Sequence, residues 1–217
     1  VEWQKSLSRI AESKGRRFVQ VDFSATPYND VGSGKNKRKL YFPHIINDFG
    51  LKSAMHAGLV KSLVLDRRKE IGALPLEFKA ERDEDGNAVL SEGQRVMLRA
   101  GLSKLKKLEA DFVSLDPVRH PKMLVVCEDT SVSPLVAAFL QQEGLGEDEV
   151  MSIDSGKKAE LGEKDWAPVR ERLFNVDRHA APRVIVSVLM LREGFDVNNI
   201  CVIVPLRSSQ AQILLEQ

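Results

Sequence analysis

The residues of this chain best equipped for chemistry lie in Leu191-Arg-Glu-Gly-Phe-Asp-Val-Asn-Asn199, which places Arg192, Glu193, Gly194 and Asp196 within five positions. The stretch gathers charged residues of both signs and a glycine. Apolar runs flank this stretch: residues 184–190, interrupted only by Ser187, and residues 200–204. Runs this short and rich in Val and Ile predict strands buried on both faces, as in a parallel sheet under helices. The charged group then follows the carboxyl end of a buried strand, where open α/β sheets bind ligands. An ordinary surface connection has a similar composition, and spacing alone leaves both readings open. Gly32-Ser-Gly-Lys35 invites a phosphate-loop reading that its spacing excludes. The required first glycine is Asn29, and the magnesium-binding Ser or Thr after the lysine is Asn36. Lys35, Lys37, Arg38 and Lys39 form a basic cluster suited to a nucleic-acid backbone or to a solvated loop. Ser24 and Thr26, in Asp22-Phe-Ser-Ala-Thr-Pro27, are small hydroxyl residues at a strand exit closed by proline.

The elements that must position these groups can be read from periodicity. Residues 2–14 predict a helix stopped by Gly15, and 18–23 a short strand. Residues 28–39 read as a polar loop, 40–46 as a strand, 51–57 as a short helix closed by Gly58, and 59–65 as a further strand. The acidic turn at 81–87, with Asp85-Gly-Asn, favours a hairpin. The longest helix is predicted over 91–115, with Ser91 and Gln94 as a capping box. Leu98, Leu102, Leu105, Leu108 and Phe112 form its buried stripe, while Lys104, Lys106 and Lys107 lie mostly off it. A buried strand at 123–127 is followed by Glu128-Asp-Thr-Ser131. A helix then begins with Ser133 as its cap and Pro134 in its first turn, and Gly144 lies past its end. A strand at 150–153 and a helix at 166–174 complete an alternation that describes an α/β fold.

Leu191 to Asn199 resembles motif V of superfamily-two helicases. Its Glu-Gly-Phe-Asp form is similar to the restriction (Res) subunit of type III restriction enzymes. Asp22 to Pro27 resembles motif III, the Ser-Ala-Thr motif, and Ala211-Gln-Ile-Leu-Leu-Glu-Gln217 resembles the lead-in to motif VI. The resemblance implies a RecA-like helicase C-terminal lobe with a parallel sheet, plus the tail of a first RecA-like lobe. Residues 1–27 would end the first lobe and 28–57 would connect. Residues 58–217 would form the second lobe, with a variable insertion near 67–90 and a truncation at motif VI. It further implies an ATP-dependent DNA helicase or translocase. Ser24 and Thr26 would couple nucleotide state to lobe arrangement. Glu193, Gly194 and Asp196 would line the nucleotide cleft, with Asp196 on the ribose, and Gln217 would open motif VI. Arg192, Lys35, Lys37 and Arg38 would meet nucleic acid. Phe195 stands where the family often has tryptophan. ATP and Mg²⁺ are the implied cofactors, and DNA and a methyltransferase (Mod) subunit the implied partners. The implied location is cytoplasmic, with no membrane contact. The sequence contains neither Gly-x-x-x-x-Gly-Lys-Ser/Thr nor an Asp-Glu-x-His box, so this chain alone is expected to lack ATPase activity. The alternatives are a stand-alone DEAD/DEAH-like helicase of repair or defence, or a non-catalytic RecA-like module that binds nucleic acid or protein.

Composition fits these expectations. At 217 residues and 43% hydrophobic, the chain can bury a sizeable core. Its net charge of +1 means that any nucleic-acid contact must come from local patches. Cys127 and Cys201 sit in apolar runs and read as buried free thiols. The four histidines lack metal-ligand spacing, so no metal site is expected.

Overall fold

The computed structural model describes residues 2–14, 21–24, 28–32, 36, 38–62, 64, 79–153, 168, 171, 173–174, 176–188 and 197–206. The chain divides into two compact units between residues 64 and 65.

The first unit contains α1 (Glu2–Lys14), β1 (Tyr28–Val31), β2 (Arg38–Tyr41) and α2 (Leu51–His56). β1 and β2 form an antiparallel hairpin in which Tyr28 faces Tyr41 and Val31 faces Arg38. The polar stretch expected to be a loop is therefore partly a hairpin. Gly32 leaves β1 at φ 89°, which a glycine adopts without steric cost. The two tyrosine rings pack 5.3 Å apart between centroids, and the Lys39 ammonium lies 4.1 Å over the Tyr28 ring. Such cross-strand pairs are the local stabiliser of a hairpin. The strand expected over 40–46 stops at Tyr41, two residues before Pro43, whose nitrogen has no proton to donate. Residues 59–62 and 64, expected as a strand, adopt none. An apolar run becomes a strand only when a neighbouring strand takes its backbone groups, and no described strand pairs here. The strand expected over 18–23 is not seen at 21–23, and its first residues lie outside the described ones. α2 ends as the sequence predicts, with Gly58 at φ 70° and Leu59 N–H returning to the Ala54 carbonyl.

The second unit opens with a hairpin of β3 (Glu81–Arg82) and β4 (Ala88–Val89). Its turn is organised by Asp83, whose carboxylate accepts from Asp85 N–H, Asn87 N–H and the Asn87 side chain. Then come α3 (Glu92–Leu115), β5 (Lys122–Cys127), α4 (Ser133–Gln142), β6 (Val150–Ile153), β7 (Val184–Ser187) and β8 (Ile200–Leu206). Of the helix expected over 166–174, residues 168, 171 and 173 are helical. α3 begins with the expected capping box: Ser91 Oγ accepts from Gln94 N–H at 3.2 Å, and Gln94 Oε1 accepts from Ser91 N–H at 3.1 Å.

The sheet is wholly parallel, in the order β6-β7-β5-β8. Its first face carries Met123, Val125, Cys127, Val184, Val186, Val202, Val204 and Leu206 against Leu98 and Leu105 of α3 and Val136, Phe139 and Leu140 of α4. Its second face carries Leu124, Met151, Ile153 and Ile185 against Leu173, with Val197 and Ile200 packed alongside. Apolar matter on both faces is why β5 and β7 lack polar alternation. A four-stranded parallel sheet flanked by helices has the α/β architecture of a RecA-like lobe.

Candidate functional site

The site is set by where the connections leave the sheet. From β5 the chain passes through α4, on the first face, to β6 at one edge. From β7 it proceeds to β8 beyond β5, and the described end of that connection, Val197, packs on the second face. β5 and β7 are adjacent, with Val126 paired to Ser187 at their carboxyl ends. With α4 on one face and Val197 on the other, the carboxyl ends of these neighbouring strands are a candidate crevice of the kind that binds ligands in open α/β sheets.

The wall on the β5 side is built from Glu128 to Val132. Asp129 Oδ1 accepts from Ser131 N–H at 2.8 Å, the Ser131 hydroxyl at 2.6 Å and Val132 N–H at 3.2 Å. The Ser131 hydroxyl, more than any other group, holds the Asp129 carboxyl below the usual carboxylate range; partial burial opposes it, and the amides and Arg82 assist. Ser133 does not cap α4 as its sequence suggested. It is the first residue inside the helix, fully buried, and its hydroxyl has no partner among the described residues. Val132 takes the cap position with no side-chain cap, and Asp129 closes a side-chain turn on the Ser131 and Val132 amides just before the helix. Pro134 and Gly144 (φ 102°) sit where the sequence predicts.

Glu128 has a different task. Its Oε1 accepts from Ala80 N–H at 2.9 Å, across 48 positions, and fixes the residue just before the β3–β4 hairpin to this edge of the sheet. Ala80 and Leu90 also join the first-face core. The segment read as a variable insertion thus borders the candidate crevice at its end nearest β5. Nothing local in the sequence signals this, because the amide belongs to an alanine.

The chemistry available at this edge is that of acceptors. Helix N-termini attract anions, but the Asp129 carboxylate, held on the Ser131 and Val132 amides just before α4, opposes a phosphate there. The Cys127 thiol, pushed up to about 12 by burial and then by Asp129 and Glu128, stays protonated and is no nucleophile. Ser187, at the end of β7, is buried with its hydroxyl unpartnered among the described residues. This acceptor set suits sugar hydroxyls.

Of the residues singled out from sequence, Ser24 and Arg38 are described. Both are exposed in the first unit, Ser24 outside regular structure and Arg38 at the start of β2. Thr26, Lys35, Lys37, Arg192, Glu193, Gly194, Asp196 and Gln217 lie outside the described residues. Among the described residues, no group of three or more His, Cys, Asp or Glu could hold a metal ion. No described helix is long and apolar enough to cross a membrane.

No family model matches the sequence. Over 109 residues it is 32% identical to the type I restriction enzyme EcoKI endonuclease subunit of Escherichia coli (strain K12). That match covers 48% of this chain and 9% of the curated protein.

Proposed function

We propose that this chain is part of the motor of a restriction-enzyme-type, ATP-dependent DNA helicase or translocase. The observation that carries the reading is topological: the connection bearing Leu191 to Asn199 begins at β7, one side of the switch point of a parallel α/β sheet. Similarity to a restriction-enzyme subunit supports it independently. In this reading Asp196 accepts from the ATP ribose, Glu193 and the Gly194 backbone line the cleft, and Gln217 opens motif VI. Arg192, Lys35, Lys37 and Arg38 meet the nucleic-acid backbone. Ser24 and Thr26 transmit nucleotide state between lobes. The acceptor-rich edge near β5 fits the sugar end of a nucleotide. ATP and Mg²⁺ would supply the phosphoryl chemistry, with their phosphate cradle and metal ligands outside these residues, so the 217-residue chain alone hydrolyses no ATP. The form of Glu-Gly-Phe-Asp favours a type III Res subunit working with a methyltransferase (Mod) subunit, and co-purification with such a subunit would separate it from a type I assignment.

The test is Asp196→Ala in the intact enzyme. Losing one charge-assisted hydrogen bond costs about 1.5–3 kcal/mol, or roughly ten- to a hundredfold. ATP binding or turnover should weaken by that factor while thermal unfolding stays unchanged. ATPase kinetics equal to wild type would remove the ribose role.

A further inference from the structure

Helix α3 turns a line of positive charge to solvent, in which Arg99 is paired with Glu143. Its buried line is Gln94, Leu98, Gly101 and Leu105. Arg95, Arg99 and Lys106 recur at four and seven residues and so lie along one different face, with Lys107 beside them. Ser103 and Ala110, both exposed, continue this face with small side chains. Among the described residues Arg183 is paired with Glu109 and Glu149, Arg119 with Asp116 and Asp177, and Arg99 of this line with Glu143. Arg95, Lys106 and Lys107 are exposed, and none has an acidic partner among the described residues. The exposed acids of the helix, Glu92 and Asp111, stand outside the stretch 95–107, and Glu109 is turned to Arg183.

We propose that this face of α3 is a contact surface for the backbone of duplex DNA, separate from the crevice at the carboxyl ends of β5 and β7. Solvated cations gain little from one another. A polyanion laid along them releases its condensed counterions, which drives association. From Arg95 to Lys107 the helix rises about 18 Å, long enough to meet several phosphates. The helix is anchored by its core stripe, so the spacing of the cations needs little further ordering on binding. Ser103 lets a backbone approach between them. An acidic protein segment fits less well, because protein interfaces centre on apolar or aromatic anchors. The exposed residues from Glu92 to Lys107 are Glu92, Arg95, Arg99, Ser103, Lys106 and Lys107, and the exposed Val113 and Leu115 come only at the far end. The proposal shares the polymer with the proposed function but requires neither the nucleotide cleft nor ATP turnover.

The experiment is fluorescence anisotropy of a labelled, mixed-sequence duplex with the 217-residue chain over a salt series, without nucleotide. It compares wild type, the triple variant Arg95→Gln/Lys106→Gln/Lys107→Gln, and Lys52→Gln, an exposed cation of α2, as a change elsewhere. The triple variant should bind more weakly. Its plot of log affinity against log salt should be shallower by about 0.9 per lost phosphate contact, up to about 2.7 for the three. Ser103→Glu, a single change at an exposed position, should also weaken binding with unaltered circular dichroism, and it decides the matter if the triple variant misfolds. Wild-type affinity and slope in either folded variant overturns the proposal. So does an effect confined to binding of a polyglutamate peptide, which would assign the face to an acidic protein. Asp196→Ala should leave this binding unchanged, so failure of the cleft reading and failure of this one are separable.

Discussion

Lys122 sets a buried charge against its surroundings. It opens β5 with no exposed side-chain surface, and its Nζ donates to the carbonyls of His179 and Ala180. Two carbonyls do not replace water around an ammonium. Burial is the main cause that pushes Lys122 down to about 8; Glu109 and Asp177 oppose it, and Arg183 adds to it. Between that value and the ordinary 10.5 the unfolded chain binds more protons than the folded one, so stability rises with pH across this window and falls as pH drops through 8. Cys127 acts with the opposite sign. Its thiol is raised from 9.0 to about 12, so its contribution is complete below 9 and declines above. The window from pH 8 to 9 therefore isolates the lysine. The urea midpoint of wild type should climb there at fixed ionic strength, and Lys122→Met should climb less. Equal slopes in the two proteins would mean that Lys122 keeps an ordinary affinity for its proton. None of this was legible in the sequence, where Lys122 reads as a polar residue just before a strand. The turn before α4 was half legible: Asp129, Ser131 and Ser133 are all capping types within five positions, yet Val132 takes the cap position with no side-chain cap, and Asp129 holds the Ser131 and Val132 amides instead.

Among the elements, α3 and the sheet meet through Gly101. A Cβ built there would lie 2.5 Å from Val204 Cγ2 and 2.8 Å from Met123 Sδ, closer than atoms in a packed core approach. The thioether of Met123 can swing aside, but the methyl of Val204 stands on a strand. Alanine at this position gains about 1 kcal/mol in helix propensity and loses about 1–3 kcal/mol to overpacking. Gly101→Ala should lower the urea midpoint modestly and Gly101→Val sharply, with the m-value unchanged. A stabilised Gly101→Ala would show that α3 can shift off the sheet at little cost. The buried leucines of this helix were readable because their period matches a stripe buried within the same unit. β5, β7 and β8 were readable for a similar reason, since both faces of the sheet are largely covered by the unit's own residues. The first unit resisted reading. β1 depends on a tyrosine pair formed across a turn, and 59–64 has the composition of a strand without a partner. The apolar runs on either side of residues 191–196 were legible as the strands β7 and β8. The Glu128–Ala80 link stayed invisible because its two ends are 48 residues apart and one is main chain.

At the scale of the whole molecule the two units differ in what they bury. The second has a continuous core on the first face of its sheet and a smaller cluster on the second. In the first, Tyr28 is the one buried hydrophobic among the described residues, while Phe23 is 97% exposed, Ile46 88% and Val64 84%. Folding must offset about 1–2 kcal/mol of backbone entropy per residue, and the described residues of the first unit bury little apolar surface to set against that. A lone two-stranded hairpin is marginal in water. Native-state hydrogen exchange on the 217-residue chain should therefore divide between the units. Amides of Arg38 to Tyr41 should exchange through small local openings, nearly independent of global stability, while those of Met123 to Val125 and Val184 to Val186 exchange only on global unfolding. A substitution that lowers global stability, such as Gly101→Val, should accelerate exchange in β5 and β7 and leave β1 and β2 unchanged. Equal protection of both hairpin and sheet in a monodisperse monomer, falling together in Gly101→Val, would show that the exposed apolar residues of 21–64 are stabilised by contacts of comparable strength and that the chain unfolds as one cooperative body.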